Sequence, residues 1–135
     1  MKTIKYRAYN DTTKTMHYFD ILQNGKGQHL FPSYWYCTKC ETYCDPTDLS
    51  EPMLTTNLKD RTNQEIYKED IVRWQEALGD ATWKVDWDNE YAGFVLVLVY
   101  APFHEFPKLN ICRVTEMEVI GNIWENPELI EVKND

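Results

Sequence analysis

The cysteines are the residues of this sequence whose type and spacing could most directly do chemistry. The four candidate metal ligands are Cys37, Cys40, Cys44 and Cys112. The first two are separated by two residues, which is the gap of a zinc knuckle, and three or four thiolates in tetrahedral geometry would bind zinc. His29 or His104 could replace a thiolate. Only one close pair is present, however, so free and partly buried thiols are the favoured alternative.

Redox and nucleophilic chemistry have less support in the sequence. A reactive Cys37–Cys40 pair would need a helix N-terminus to stabilise a thiolate, and no helical pattern follows Cys40. The sequence has no Gly-x-Ser-x-Gly motif, and its histidines are scattered. His17 lies in an apolar segment typical of a strand, which favours a surface or packing role.

A second candidate site consists of acidic residues. If a strand continues through residue 86, then Asp86, Asp88 and Glu90 point to one face. Three carboxylates there could hold magnesium or act as acid and base. The alternative is a solvated hairpin rim, which is favoured because Asp88-Asn89 is a turn sequence and no phosphate-binding loop accompanies the acids.

Aromatic side chains form a third candidate, because the chain has five Trp and nine Tyr. The candidates for a binding face are Tyr67, Trp74, Trp83 and Trp87. Core packing explains them better than a groove, since a small barrel needs large interior side chains. A peptide-binding aromatic groove is the alternative.

Strands are the predicted elements that position these residues. Residues 3–9 and 82–87 alternate apolar and polar side chains, which is the period of a half-buried strand. Residues 16–22 form a second strand, and the apolar run at 94–100 indicates a strand buried on both faces. Residues 64–78 are ambiguous, because a helical stripe competes with β-forming residues and a hairpin turn at Gly79-Asp80.

The remaining segments give shorter predictions. Residues 31–52 contain three prolines and three cysteines, so we expect an irregular Cys-rich segment there. Residues 114–124 predict one or two strands with a bend or bulge at Gly121-Asn122. Asn126-Pro127-Glu128 predicts a short C-terminal helical turn.

Composition limits the classes of function. The chain has 135 residues and a net charge of −8, which suits one acidic domain and disfavours direct nucleic-acid binding. The start of the chain has no apolar segment of the kind a secretory signal needs, and no run is long enough for a membrane helix. We therefore expect a cytoplasmic protein with reduced thiols and no membrane partner.

Three blocks resemble the YopX-like family of phage and prophage proteins. They are residues 53–72 (MLTTNLKDRTNQEIYKEDIV), 4–9 (IKYRAY, followed by Met16) and 118–129 (EVIGNIWENPEL). The middle block is similar to a family segment that reads TGLKDKNGKEIYEGDIV. Asn57, Asn63 and Glu69 replace the usual glycines. Asn tolerates the left-handed backbone of such turns, and Glu is the sharper departure.

The resemblance implies a mainly β fold, namely a partly open SH3-like barrel with the Cys-rich insertion and the C-terminal turn, as one domain over residues 1–135. It favours strand over helix for residues 71–75, and it implies no activity.

We expect a non-catalytic interaction protein in the bacterial host that binds an unknown protein partner; one version is an acidic modulator of a host nucleic-acid-binding protein. The alternatives are a small metal-dependent enzyme acting on nucleotides or nucleic acid, and a homo-oligomeric structural protein.

Overall fold

The computed structural model describes residues 3–22, 35–75, 79–102 and 107–130. Across these residues the chain is mainly β, as predicted, with eleven strands and three short 3₁₀ helices. The strands are β1 (Thr3–Asn10), β2 (Thr15–Leu22), β3 (Trp35–Cys37), β4 (Thr42–Cys44), β5 (Met53–Lys59), β6 (Glu65–Tyr67), β7 (Asp70–Trp74), β8 (Ala81–Asp88), β9 (Gly93–Tyr100), β10 (Lys108–Asn110) and β11 (Glu118–Asn122). The 3₁₀ helices are Pro46–Asp48, Ile111–Glu116 and Pro127–Ile130.

The chain divides into two compact units, Met1–Thr55 and Thr56–Asp135, here called unit 1 and unit 2. The finer expectations of a single domain and of an SH3-like barrel stay predictions. Among the described residues, no helix has the length and apolar character to cross a membrane.

Unit 1 is built on the β1–β2 hairpin. The two strands pair antiparallel along their whole length, from Thr3 opposite Leu22 to Asn10 opposite Thr15. The Asn10 side chain accepts the N–H groups of Thr12 and Thr13, which closes the turn between the strands. The start of β5 pairs with the other edge of β1.

The Cys-rich segment adds a small hairpin to this unit. Strands β3 and β4 have three residues each and pair from Trp35 opposite Cys44 to Cys37 opposite Thr42. The described part of the segment therefore has only short elements, as its prolines predict, and they are more regular than expected. The buried core of unit 1 includes Tyr6, Ala8, Phe19 and Cys37, with Trp35 against them.

Unit 2 contains a five-stranded antiparallel sheet in the order β10-β9-β8-β7-β11. Alternation in β8 turns Ala81, Trp83 and Val85 to the interior, where all three are fully buried. They form one cluster with Ile66, Val72, Leu96, Val114 and Met117. The alternation of apolar and polar residues in β8 thus places three of its side chains in this core.

The ambiguous segment resolves as strands. Residues 65–67 form β6 and residues 70–74 form β7, so the β interpretation of residues 71–75 is confirmed through Trp74. Residues 76–78, which include the end of the helical stripe, lie outside the described residues. Ile71 and Val72 are adjacent and point to opposite faces of β7, and both are fully buried, so both faces of the strand are covered here.

Three further predictions have mixed outcomes. A bulge is present one residue before its predicted place at Gly121-Asn122, because the register of β11 against β7 shifts between Val119 and Gly121. The helical turn is confirmed as the 3₁₀ helix Pro127–Ile130. Burial of β9 on both faces was wrong for most of the strand: only Val95 and Leu96 are buried, the other residues are half-buried, and Tyr100 at the end is exposed.

Candidate functional site

A cluster of thiols and one imidazole lies in unit 1, between β2 and the β3–β4 hairpin. The Nδ1 atom of His17 is 3.5 Å from the Sγ of Cys40 and 3.4 Å from the Sγ of Cys44. One ligand atom each from His17, Cys37 and Cys40 lie within 4.8 Å of one another. This is the only such group of three or more His, Cys, Asp or Glu ligands in the described ranges.

The hairpin places its cysteines through the geometry of its turn. The Glu41 backbone is left-handed (φ 56°), and its N–H donates to the carbonyl of Cys37. The N–H of Thr38 donates to the carbonyl of Tyr18 at 2.9 Å, which fixes the hairpin beside β2. Because Tyr18 follows His17, this bond also sets the imidazole near the thiols.

Cys37 is the most enclosed member of the cluster. Its side chain is fully buried, and its Sγ accepts the N–H of Cys40 at 3.3 Å and that of Tyr18 at 3.4 Å. Burial raises the pKa of the Cys37 thiol, but these backbone donors outweigh it and leave the pKa below its ordinary value. The site is thus arranged to stabilise a thiolate at Cys37.

Burial has the largest effect on the pKa of each of the other members. Burial, followed by proximity to Cys37, raises the pKa of Cys40. The pKa of Cys44 is also raised, first by burial and then by the nearby Cys37 and Cys40. Burial and then the nearby Lys39 ammonium lower the pKa of His17, which favours a neutral imidazole able to bind a metal.

A groove of about 420 Å³ opens next to the cluster. His17, Cys40 and Cys44 line one part of it, and Asp45 and Asp48 line another. Cys40 is exposed and Cys44 half-buried. A small ion can therefore reach the sulfur atoms of Cys40 and Cys44 without unfolding unit 1.

The structure groups three of the four predicted cysteine ligands. Cys112 lies in unit 2 at the start of the 3₁₀ helix Ile111–Glu116, where it is exposed and its N–H donates to the Asn110 side chain. No group of three potential ligands in the described residues contains it. His29 and His104, the predicted replacement ligands, lie outside the described residues.

His17 was not predicted as a ligand. The sequence gives it only a place in a strand, 20 residues before the first cysteine. The pairing of that strand with the Cys hairpin is a tertiary contact, and local spacing carries no sign of it. The alternation of β2 was the one available indication, since it turns the side chain of His17 to the opposite face from that of Met16.

The three acidic residues of the second candidate site line one open groove of about 440 Å³ together with Lys108, but their carboxylate oxygens do not meet at one point. Asp86, Asp88 and Glu90 form no group of close ligand atoms. Asp86 accepts the N–H of Trp87 with one oxygen, and its other oxygen is 3.1 Å from the ammonium of Lys84. These acids are therefore held apart by local bonds, as the hairpin-rim interpretation predicts.

Asp88 organises the β8–β9 turn. Its Oδ1 accepts the N–H groups of Glu90 and Tyr91, and its Oδ2 accepts a bond from the Lys108 ammonium at 3.0 Å. The bond from Lys108, then that from Tyr91, lowers the pKa of Asp88. A carboxylate so committed to its ionised form is a poor general acid.

The aromatic candidates divide between core and surface. Trp83 is fully buried and Tyr67 is 6% exposed, so these two are core residues, and the binding-face assignment is corrected for them. Trp74 is half-buried against the unit 2 core, with the Arg113 guanidinium 5.8 Å from the centre of its ring. Trp87 alone is exposed, at 45%.

The sequence blocks at residues 53–72 and 118–129 meet in unit 2. Asp60 accepts the N–H of Val119, and the Arg61 guanidinium bonds to Glu118 at 2.6 Å. Strands β7 and β11 pair, and the Glu69 carboxylate accepts the indole N–H of Trp124. These blocks form one structural contact region.

The backbone at the three replaced glycines explains the pattern of the middle block. Asn57, Asn63 and Glu69 have φ values of 63°, 72° and 72°, all left-handed. The turn before Asp70 is therefore kept although Glu69 stands in it. The profile of the YopX family, described as YopX protein, matches residues 5–131. The chain belongs to the YopX family.

A solved structure shows the same fold. Protein EF1440 from Enterococcus faecalis is 21% identical to this YopX protein, with a TM-score of 0.57, over 95% of this chain and 98% of that chain. At this identity the similarity concerns the fold alone. No curated protein matches the sequence.

Proposed function

We propose that this YopX-family protein is a non-catalytic interaction protein of a phage or prophage, which acts in the cytoplasm of the bacterial host. It binds a basic host protein through the turn of the β8–β9 hairpin. The acidic–aromatic face is defined as Asp86, Trp87, Asp88, Glu90 and Tyr91. The observation that carries the proposal is the exposure of two large aromatic side chains, Trp87 and Tyr91, beside Asp86 and Asp88, whose carboxylates accept backbone N–H groups of the same turn.

Trp87 and Tyr91 are the anchors of this face. They are 45% and 62% exposed, which is costly for large aromatic groups without a partner. Trp87 is held in place, since its ring packs edge-on against Phe94 at 5.3 Å and its indole N–H donates to Asn89. A rigid aromatic group loses little entropy on binding, and Trp and Tyr are the residues that most often dominate binding energy.

The acids direct the choice of partner. Lys84 and Lys108 offset Asp86 and Asp88, so the face has a modest local charge. The chain as a whole carries −8, and this field would speed encounter with a basic surface. Arg and Lys side chains of the partner can pair with Glu90 and stack on the exposed rings. Such a target suits an acidic modulator of a host nucleic-acid-binding protein.

The experiment is affinity capture with the full chain from nuclease-treated host lysate, identified by mass spectrometry. The test variant is Trp87→Ser with Tyr91→Ser. The control is Tyr36→Ser with Tyr43→Ser, which removes another exposed aromatic pair, stacked edge-on at 5.1 Å on the β3–β4 hairpin.

We expect the wild type and the control to capture a basic protein. The affinity of the test variant for that protein should be lower by at least about 30-fold, which corresponds to the loss of a hot-spot pair worth 2 kcal/mol or more. Equal capture by all three proteins, or no capture at low salt, would overturn the proposal. The capture is repeated from untreated lysate, and a partner recovered only there would show that nucleic acid bridges the two proteins, which also contradicts the proposal.

A further inference from the structure

We propose that unit 1 binds one zinc ion through the thiolates of Cys37, Cys40 and Cys44 and the Nδ1 atom of His17. This site is separate from the acidic–aromatic face, and it stands or falls independently of the proposed function. It takes three of the cysteines that the sequence predicts and replaces Cys112 by a histidine.

The distances fit a tetrahedral zinc centre. With Zn–S of about 2.3 Å and Zn–N of about 2.0 Å, the S to N edge of a tetrahedron is about 3.5 Å. The Nδ1 atom of His17 lies 3.5 Å from the Sγ of Cys40 and 3.4 Å from that of Cys44. The ligand atoms of His17, Cys37 and Cys40 all lie within 4.8 Å of one another. Cys44 stands outside that group and is placed by its approach to His17, so its sulfur must move toward the other two sulfur atoms when the ion binds.

The backbone around Cys37 is prepared for a metal-bound thiolate. The two N–H groups that point at its Sγ come from Cys40, three residues along, and from Tyr18 on β2. Such donors hold the sulfur and reduce its excess charge, which is the role of outer-shell contacts at metal sites. A buried thiol acting as a plain apolar side chain needs no such pair of donors.

The exposure of the other sulfur atoms argues against simple packing. Cys40 is exposed and Cys44 half-buried, yet both sulfur atoms approach the same imidazole nitrogen. Cysteines that only fill a core are buried. Convergence of partly exposed thiols on one nitrogen is the arrangement that a shared ion explains.

The charge of the centre is balanced locally. Zn²⁺ with three thiolates and a neutral imidazole carries −1, and Lys39 lies within the knuckle between two of the ligands. Four protein ligands leave no open position for water, which makes the site structural. Zinc would fasten the β3–β4 hairpin, whose two strands have only three residues each, to β2.

The test uses the full chain purified under reducing conditions. We expect about one equivalent of zinc by elemental analysis, and Co²⁺ should give the visible absorption of a tetrahedral thiolate site. Variants Cys40→Ser and Cys44→Ser should lower zinc affinity at least about 100-fold, beyond the 10- to 100-fold of an outer-shell change. Cys112→Ser is the matched control and should retain full affinity.

His17 has its own pair of variants. His17→Ala should lose the metal, and His17→Cys should keep it with four thiolates and a changed cobalt spectrum. If Cys112→Ser loses zinc, or if His17→Ala keeps full affinity, the ligand set is wrong. Wild type without zinc, whether its cysteines remain thiols or have formed a disulfide, would overturn the proposal.

Discussion

At the scale of single residues, Asp60 is a buried carboxylate that holds one loop together. One oxygen accepts the N–H groups of Thr62 and Gln64 and the hydroxyl of Thr62, and the other accepts the N–H of Val119. Burial raises the pKa of Asp60, but these bonds, with that from Val119 the largest, hold the pKa below its usual value. The loop therefore depends on the ionised form.

Asp60→Asn should lower the free energy of unfolding by about 1–3 kcal/mol at pH 7, because its amide turns an N–H group toward a backbone donor. Since the folded pKa lies below the unfolded one, the stabilisation is complete above about pH 4 and is lost as pH falls through the folded pKa. Denaturant unfolding should show the two proteins converging in acid. The exposed Asp48→Asn is the control, and a difference that persists unchanged to pH 2 would contradict this role.

Glu69 combines a strained backbone with three useful contacts. Its φ is 72°, its N–H donates to Val85 and its carbonyl accepts the N–H of Ile123. Its carboxylate accepts the indole N–H of Trp124. The side-chain bond offsets the left-handed conformation, which explains how Glu occupies a position that suits glycine.

Glu69→Ala should therefore be less stable than Glu69→Gly by about 1 kcal/mol. Both variants lose the bond to Trp124, and only alanine keeps the left-handed strain. Thermal or denaturant unfolding of the two variants gives the difference directly. Equal stability, or a more stable alanine variant, would mean that the backbone at residue 69 is not strained.

At the scale of elements, Gly121 lets β11 pass close to the 3₁₀ helix Pro127–Ile130. A Cβ atom at this position would come 2.4 Å from the Asn126 side-chain oxygen and 2.9 Å from the Leu129 side chain. The same Asn126 oxygen accepts the N–H of Asn122 at 3.3 Å. The bulge of β11 and the terminal helix thus fit only around a glycine.

Gly121→Ala should lower the free energy of unfolding by about 1–3 kcal/mol, as overpacking does. Gly93→Ala is the matched control, since its Cβ would meet only the flexible, exposed Tyr91 ring at 3.3 Å. The measurement is denaturant unfolding of both variants. A Gly93 variant that is as destabilised as the Gly121 variant would refute the close approach.

The sequence predicted elements better than their partners. The alternation at residues 82–87 correctly predicted β8 and its inward Trp83, since the period of two is a local property. The alternation does not indicate which of Trp83 and Trp87 is exposed, because that depends on where the sheet ends. It also missed His17, whose approach to Cys40 depends on how β2 meets the Cys hairpin.

At the scale of the whole molecule, the two units differ in the size of their own buried cores. Within the described residues, unit 2 has one cluster of eight fully buried apolar side chains, including Trp83 and Leu96. The corresponding cluster in unit 1 has four, and one of them is Cys37. A small apolar core gains most from an additional link such as a metal.

Chelation of zinc should therefore loosen unit 1 alone. Hydrogen exchange should speed up for amides of residues 35–44 and stay unchanged for residues 81–100, where the larger core protects the sheet. Cys44→Ser protein is the control, and it should exchange rapidly with or without chelator. Equal acceleration in both units would show that the metal does not act within unit 1.

X-ray absorption at the zinc edge, measured on the full wild-type chain, tests the four-ligand centre most directly. We expect three sulfur atoms at about 2.3 Å and one imidazole nitrogen at about 2.0 Å from the zinc ion. A shell of four sulfur atoms, which would bring in Cys112 in place of His17, would contradict this ligand set, as would a shell of oxygen and nitrogen alone.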